Sequence, residues 1–178
     1  MKQNWELTEV LHHSRHDWLN RMQIIKGNLS LHKYEHVEDI ISNIVSEMQH
    51  ESKLYNLKVP KLAVLLMTYN WTTPPIILEY EVIGDVYSLT DYDEELYTWC
   101  AAFIQCLQQQ VEPGSDSHLS LSIELSKDSI RFFFDFSGII KNSSDIINWI
   151  KSQSNVGRIA VIENAVLDNE LTVALEIQ

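Results

Sequence analysis

Arg15-His16-Asp17-Trp18-Leu19-Asn20-Arg21-Met22-Gln23 sits in a run from Met1 to Lys26 that contains neither proline nor glycine. Apolar residues recur at Leu7, Leu11, Trp18, Met22, Ile25 and Leu29, which is the stripe of an amphipathic helix. At about 100° per residue, His16 lies about 160–180° from the middle of that stripe. The face around it carries His12, His13, Leu19, Asn20, Gln23 and Gly27. A core histidine would lie on the stripe. This one is expected to point into solvent.

Outward from this stretch, the first helix is expected to run from an N-cap at Asn4 to Leu31 or His32. Gly27 inside it costs about 1 kcal/mol relative to Ala and marks a place of close packing, either within the chain or with a docking partner. A second helix spans roughly Glu35 to Leu57, with Val37, Ile40, Ile41, Ile44, Val45, Met48 and Tyr55 at 3–4 spacing and Pro60 at the exit. A short turn near Lys33 makes the pair an antiparallel hairpin. Two striped helices alone bury too little, so two hairpins are expected to form a four-helix bundle across a dimer.

After Pro60 the composition shifts. The pattern predicts a helix over Leu62–Tyr69, a break at Thr72-Thr73-Pro74-Pro75, and a strand over Ile76–Ile83 closed by Gly84-Asp85. Thr90 is expected to cap a helix running to Val111, before Pro113-Gly114. Strands Leu119–Leu125 and Ile130–Phe136 form a hairpin turning at Lys127-Asp128. A short helix over Ser144–Lys151 and strands Arg158–Glu163 and Glu170–Ile177 complete an α+β arrangement. The fold class is therefore α+β: a helical hairpin and dimerisation domain over residues 1–58, and an α+β domain over 59–178.

An exposed imidazole next to a carboxylate suits phosphoryl transfer. Neutral imidazole is a good nucleophile near neutral pH, and its N–P bond can be made and passed on. Asp17 can accept the other ring N–H and so set the tautomer. Asn20, one turn on, can meet phosphoryl oxygens or an attacking water. His12 and His16 also stand at the i, i+4 spacing of a helical zinc pair. However, His13 occupies the position where the metalloprotease pattern has Glu, and no further Cys/His cluster supplies ligands.

His16-Asp17-x-x-Asn20 resembles the phospho-accepting histidine box of two-component sensor kinases. The longer run HDWLNRMQIIKGNLSLHKYE (His16–Glu35) resembles the phosphotransferases of the sporulation phosphorelay of endospore-forming bacteria, relatives of sensor kinases that have lost ATP hydrolysis. The likeness continues through HESKLYNLKVPKLA (His50–Ala63) and NWTTPPIILEYEVIG (Asn70–Gly84). In that family a phosphoryl group passes from Asp of one response regulator to the histidine, here His16. It then passes to Asp of a second regulator, a transcription factor that commits the cell to sporulation. The resemblance implies His16 as nucleophile, Asp17 as its orienter and Asn20 as a phosphoryl or water contact. It also implies Arg15 and Lys26 as electrostatic contacts, and His12, His13, Leu19, Gln23 and Gly27 as docking surface. No cofactor of its own is expected, the Mg²⁺ belonging to the regulator.

In sensor kinases an Asn-bearing helix and two glycine-rich boxes hold Mg-ATP. The helix from Asp91 to Val111 has no Asn, and Asp135-Phe136-Ser137-Gly138-Ile139 has Ser and Ile where the family's Asp-x-Gly-x-Gly has glycine. The second domain thus resembles a kinase ATP-binding domain with its nucleotide site dismantled. Two rivals stay open: an ATP-dependent sensor kinase fragment of the citrate-responsive type, and a non-catalytic dimer that sequesters response regulators.

Charge narrows the partners. A net charge of −12 argues against nucleic acid. Yet residues 1–33 carry five cations against three carboxylates, leaving −14 on the rest. This local excess around His16 fits an acidic, phosphate-bearing partner. With no long apolar stretch and no signal-peptide pattern at the start, a soluble cytoplasmic protein is expected, with no membrane partner. Cys100 and Cys106, six apart in one helix, are expected to be free thiols.

Overall fold

The computed structural model of the chain describes residues 6–112, 114–127, 129–153 and 155–177. The expected cap at Asn4, and Pro113 and Asp128 of the expected turns, lie outside them. The chain divides into two compact units between Gln49 and His50.

In the first unit, α1 (Leu7–Ser30) opens with a reciprocal capping box, the Glu9 carboxylate accepting the Glu6 backbone N–H at 3.0 Å. Three residues separate it from α2 (Tyr34–Asn56). That tight reversal puts His32 in the left-handed region at φ 56°, where its ring meets the Tyr34 hydroxyl at 3.0 Å. Arg21 reaches Glu47 on α2 at 2.5 Å and lies 5.9 Å over the Trp18 ring. α1 contains no buried residue, and Val37 is the one buried side chain among residues 6–49. The stripe residues Leu7, Leu11, Trp18, Met22 and Leu29 are exposed, as are Ile41, Val45 and Met48 of α2.

The second unit begins inside α2, where Leu54 of its last turn and Leu57 just beyond its end are completely buried. α3 (Pro60–Thr68) starts on a proline, which suits a first helical position with no partner for its N–H. Its free N–H groups are met from afar. The Asp93 carboxylate accepts from the Lys61 and Leu62 backbone at 3.1 Å.

A 3-10 turn, Tyr69–Thr72, leads to β1 (Ile77–Gly84), and a second, Thr90–Tyr92, leads to α4 (Asp93–Gln110). The expected Thr90 cap is corrected here. Thr90 lies in the 3-10 turn with its hydroxyl 2.8 Å from that of Ser88, and α4 begins three residues later. Then come β2 (His118–Leu125), β3 (Ile130–Ser137), α5 (Ser143–Ser152), β4 (Asn155–Val156), β5 (Ile159–Val166) and β6 (Glu170–Ile177). β4 is a two-residue strand, too short to leave an alternating pattern. β5 runs past the expected end at Glu163 because a register shift between Val161 and Glu163 breaks the alternation.

The sheet order is β1-β2-β3-β6-β5-β4, with β1 and β2 parallel and the other pairs antiparallel. α4 makes the crossover that a parallel pair requires. Period-two alternation aims Leu119, Leu121 and Ile123 of β2, Phe132, Phe134 and Phe136 of β3, and Leu171, Val173 and Leu175 of β6 into one core. The outer edge of β1 is closed by side chains. Asn70 bonds both the N–H and the C=O of Leu78, at 3.0 and 2.7 Å. His50 Nδ1 accepts from Val82 N–H at 3.0 Å, and Lys53 donates to the Val82 carbonyl at 3.1 Å. An open edge would invite pairing with another chain.

Candidate functional site

His16 falls in the third turn of α1, far enough from the capped start for a regular helix to set its direction. Its side chain is 62% exposed, and that of Asp17 48%. Asn20 Nδ2 stands 3.2 Å from His16 Nδ1, and Asp17 Oδ1 stands 3.7 Å from the same nitrogen. Both neighbours address Nδ1, and among the described residues Nε2 has no hydrogen-bond partner. That leaves Nε2 as the ring nitrogen that an incoming electrophile can reach.

The other residues of this face divide into two groups. Arg15 Nη2 lies 3.4 Å from His12 Nδ1, and the His12 and His13 rings meet edge to face at 5.9 Å. Leu19, Gln23, Lys26 and Gly27 lie exposed along the same helix, the last about 16 Å from His16 along the axis. A Cβ placed at Gly27 would meet nothing within 4 Å, so packing inside the chain does not account for this glycine. The structure therefore brings His16, Asp17 and Asn20 together as one cluster and His12 and Arg15 as a second. His13 packs its ring against that of His12, and Leu19, Gln23, Lys26 and Gly27 share the surface. From the sequence Asp17 is expected at the ring nitrogen and Asn20 at the phosphoryl group; the structure puts Asn20 nearer to the ring nitrogen, a contact that the i, i+4 spacing allows. Glu47 as the partner of Arg21 is not expected from the sequence. No local pattern announces a pair 26 residues apart.

The second unit holds the residues compared above with a nucleotide site. Phe134 and Phe136 of β3 face the helices, so Asp135 between them is exposed on the opposite face of the sheet from α4. Trp149 of α5 packs on Trp99 and Phe103 of α4 at 5.4 and 5.8 Å, and Phe134 completes the cluster. The segment after β3 is bonded to the end of α4, Lys141 N–H to the Gln110 carbonyl at 2.7 Å and Glu112 N–H to that of Ile139 at 3.0 Å. At the other end of α4, Arg158 bonds Glu95 through its backbone N–H and its guanidinium. The same guanidinium meets the Asp91 carbonyl and lies 4.2 Å over the Tyr92 ring. The backbone N–H of Arg158 first, and its side chain second, hold Glu95 below the usual carboxylate range.

The thiols sit within this packing. Burial pushes Cys100 up to about 12, and burial with the Asp145 charge raises Cys106; both are free. Among the described residues no group of three or more His, Cys, Asp or Glu is placed to hold a metal ion. Among them also, no helix is long and apolar enough to cross a membrane.

Comparison with known proteins joins the two units. Residues 1–57 match the family model of the SpoOB-type sensor kinase alpha-helical domain, and residues 58–178 match that of the sporulation initiation phosphotransferase B C-terminal domain. Sporulation initiation phosphotransferase B of Bacillus subtilis (strain 168) is 41% identical over 141 residues, which are 78% of this chain and 73% of that protein.

Among solved structures, the blue-light activated histidine kinase of Erythrobacter litoralis EL346 aligns at a TM-score of 0.51 and 11% identity. The alignment covers 99% of this chain and 61% of that one. Histidine kinase AdeS of Acinetobacter baumannii aligns at 0.45 and 11%, over 92% of this chain and 97% of that one. At such identity only the shared fold of the first is used: a helical hairpin followed by an α+β domain like a histidine kinase catalytic domain. With family models matched along its length and a relative of this identity, the chain belongs to the sporulation initiation phosphotransferase B family and is a phosphotransferase of the sporulation phosphorelay.

Proposed function

We propose that His16 is the phosphoryl carrier between two response regulators. The observation that carries this reading is the exposed imidazole whose Nδ1 is addressed by Asn20 and Asp17 while Nε2 has no hydrogen-bond partner among the described residues. In the first step Nε2 attacks the phosphorus of a regulator's aspartyl phosphate. The N–P bond forms, the P–O bond breaks, and the carboxylate leaves with the electron pair. In the second step the carboxylate of another regulator, a transcription factor, attacks and the ring takes its pair back. Carboxylates of the regulator hold the Mg²⁺, so this chain contributes positioning and charge. Arg15 and Lys26 flank the face with positive charge. His12, His13, Leu19, Gln23 and Gly27 offer the docking surface, with Gly27 leaving room for close approach.

The reading includes a cytoplasmic homodimer. Leu7, Leu11, Trp18, Met22 and Leu29 of α1 and Ile41, Val45 and Met48 of α2 stay exposed, and burying each such large side chain stabilises by about 1.5–3 kcal/mol. Pairing two hairpins into a four-helix bundle buries both stripes. ATP has no part in the reaction. Asp135 faces away from α4, and α5 with the 139–141 segment is packed and bonded along that helix.

The test is incubation with a response-regulator receiver domain carrying labelled aspartyl phosphate and Mg²⁺. Label should pass to His16 and from there to a second receiver. It should be lost in acid and survive alkali, as N-linked phosphate does. An acid-stable label, or none, rejects the proposal, and the latter outcome favours sequestration. ATP-dependent labelling of His16 would restore the kinase.

A further inference from the structure

Two side chains address His16 Nδ1, and they are not equivalent. Asn20, one helical turn on, is at hydrogen-bond distance, 3.2 Å. Asp17, the adjacent residue, points about 100° away around the helix and stops at 3.7 Å, beyond a hydrogen bond but within ion-pair range. An amide is ambidextrous. Presenting NH₂ to Nδ1 makes that nitrogen an acceptor and leaves the proton on Nε2. Turned about its last side-chain bond, it presents Oδ1 at the same place and takes the hydrogen bond from Nδ1–H. Only the second arrangement leaves the Nε2 lone pair outward. The Asp17 carboxylate decides between them, because an anion beside Nδ1 favours an N–H there and disfavours a lone pair.

We infer that Asn20 is the positioning residue that fixes His16 in its Nδ1–H tautomer, with Asp17 acting on the same proton from a distance. The inference rests on the reading of His16 as phosphoryl carrier. It also has a chemical consequence for the relay. When Nε2 forms its bond to phosphorus, the ring becomes a phosphoimidazolium that keeps its Nδ1 proton. When the second carboxylate attacks, the N–P bond breaks, its electron pair returns to Nε2, and the neutral Nδ1–H ring is restored. No proton enters or leaves in either step. An amide suits this task because it can hold the proton but cannot remove it. The retained charge also keeps the ring a good leaving group for onward transfer.

The tautomer can be read without any partner. The full chain, ¹⁵N-labelled in its histidine rings, is examined by long-range ¹H–¹⁵N correlation at about pH 8.5, where an ordinary imidazole is neutral. His16→Gln identifies the His16 signals by their loss. In the wild type His16 should be Nδ1–H. In Asn20→Ala it should revert to the Nε2–H form that free histidine side chains prefer. Asp17→Asn removes the charge that orients the amide and should let part of the Nε2–H form appear, whereas Asn20→Asp, which can only accept, should keep the ring Nδ1–H. Transfer from a phosphorylated receiver should fall at least about tenfold in Asn20→Ala. Wild-type His16 in the Nε2–H form, or the same tautomer with and without the Asn20 amide, overturns the inference. An Nδ1–H ring that reverts in Asn20→Ala but accepts no phosphoryl group upholds the tautomer assignment and rejects the proposed function instead.

Discussion

The helical unit and the α+β unit bury their apolar residues in opposite ways. Of the described residues up to Gln49 only Val37 is buried, whereas the α+β unit encloses Leu54, Leu57, Phe103, Phe132, Phe134 and Phe136 completely. Yet the proposed chemistry lies on the unit without a core. A helix projecting a ring into solvent can be approached by a second protein, and its exposed stripes can pair with a second copy. A packed sheet with aromatic residues under its helices offers stability and no comparable access. In this protein the proposed phosphoryl carrier and the source of folding energy are different parts of one chain.

The sharpest way to break that comparison is at His16. His16→Gln should abolish transfer, because among the described histidines His16 is the one with both an Asn amide and an Asp carboxylate beside Nδ1. Its unfolding free energy should stay within about 0.5 kcal/mol of the wild type, as for exposed sites. Denaturant titration alongside the transfer assay checks both halves. His12→Gln and His13→Gln should retain substantial transfer.

Phe103→Ala reverses the pattern. Removing a completely buried ring that touches Trp99, Phe134 and Trp149 should cost about 3–5 kcal/mol. Any molecules that remain folded should still carry label on His16. Loss of transfer in a folded Phe103→Ala protein would show that the α+β unit contributes to the site.

Asp93→Ala removes the carboxylate that meets the start of α3. A loss of about 1–2 kcal/mol is expected, the upper range for a helix cap, because Asp93 is buried. Thr90→Ala should change stability less, since its hydroxyl meets Ser88 and not a helix end. Chemical denaturation of the two variants separates the caps.

The smallest effect is at Arg158 and depends on pH. Glu95 is held below its ordinary value, so its contribution is present above the unfolded carboxylate pKa of about 4.3 and is lost as pH falls through the lower folded value. Arg158→Ala should be modestly less stable than the wild type at neutral pH. The gap should close below about pH 4. A gap that stays constant from pH 7 to about pH 3 would mean that the residue acts through its stacking on Tyr92 instead.

Much of this was legible from residue order. The two long helices, the parallel-requiring helix between β1 and β2, and the β2–β3 hairpin follow from apolar periodicity and from the breakers at Pro60, Thr72–Pro75 and Gly84. What was misread is local in a different sense. Thr90 has the right side chain for a cap, but the chain makes a 3-10 turn there and α4 starts at Asp93. β4 is two residues long, and β5 slips register at Val161/Glu163, so neither offers a clean period.

The sequence by itself determined that His16 lies opposite an apolar stripe, that Asp17 and Asn20 are its helical neighbours, and that the helices precede an α+β region. These depend on the fixed rotation per residue of a helix and the alternation of a strand. Only the tertiary structure decided that Asp93 serves α3 from 32 residues away, that His50 and Asn70 close the edge of β1, and that Arg158 reaches Glu95 across 63 residues. Such encounters depend on how elements pack, which no local period encodes. The choice between Asp17 and Asn20 at Nδ1 falls between the two. Spacing allows both neighbours, and the directions of the side chains on the formed helix bring Asn20 to hydrogen-bond distance and leave Asp17 beyond it.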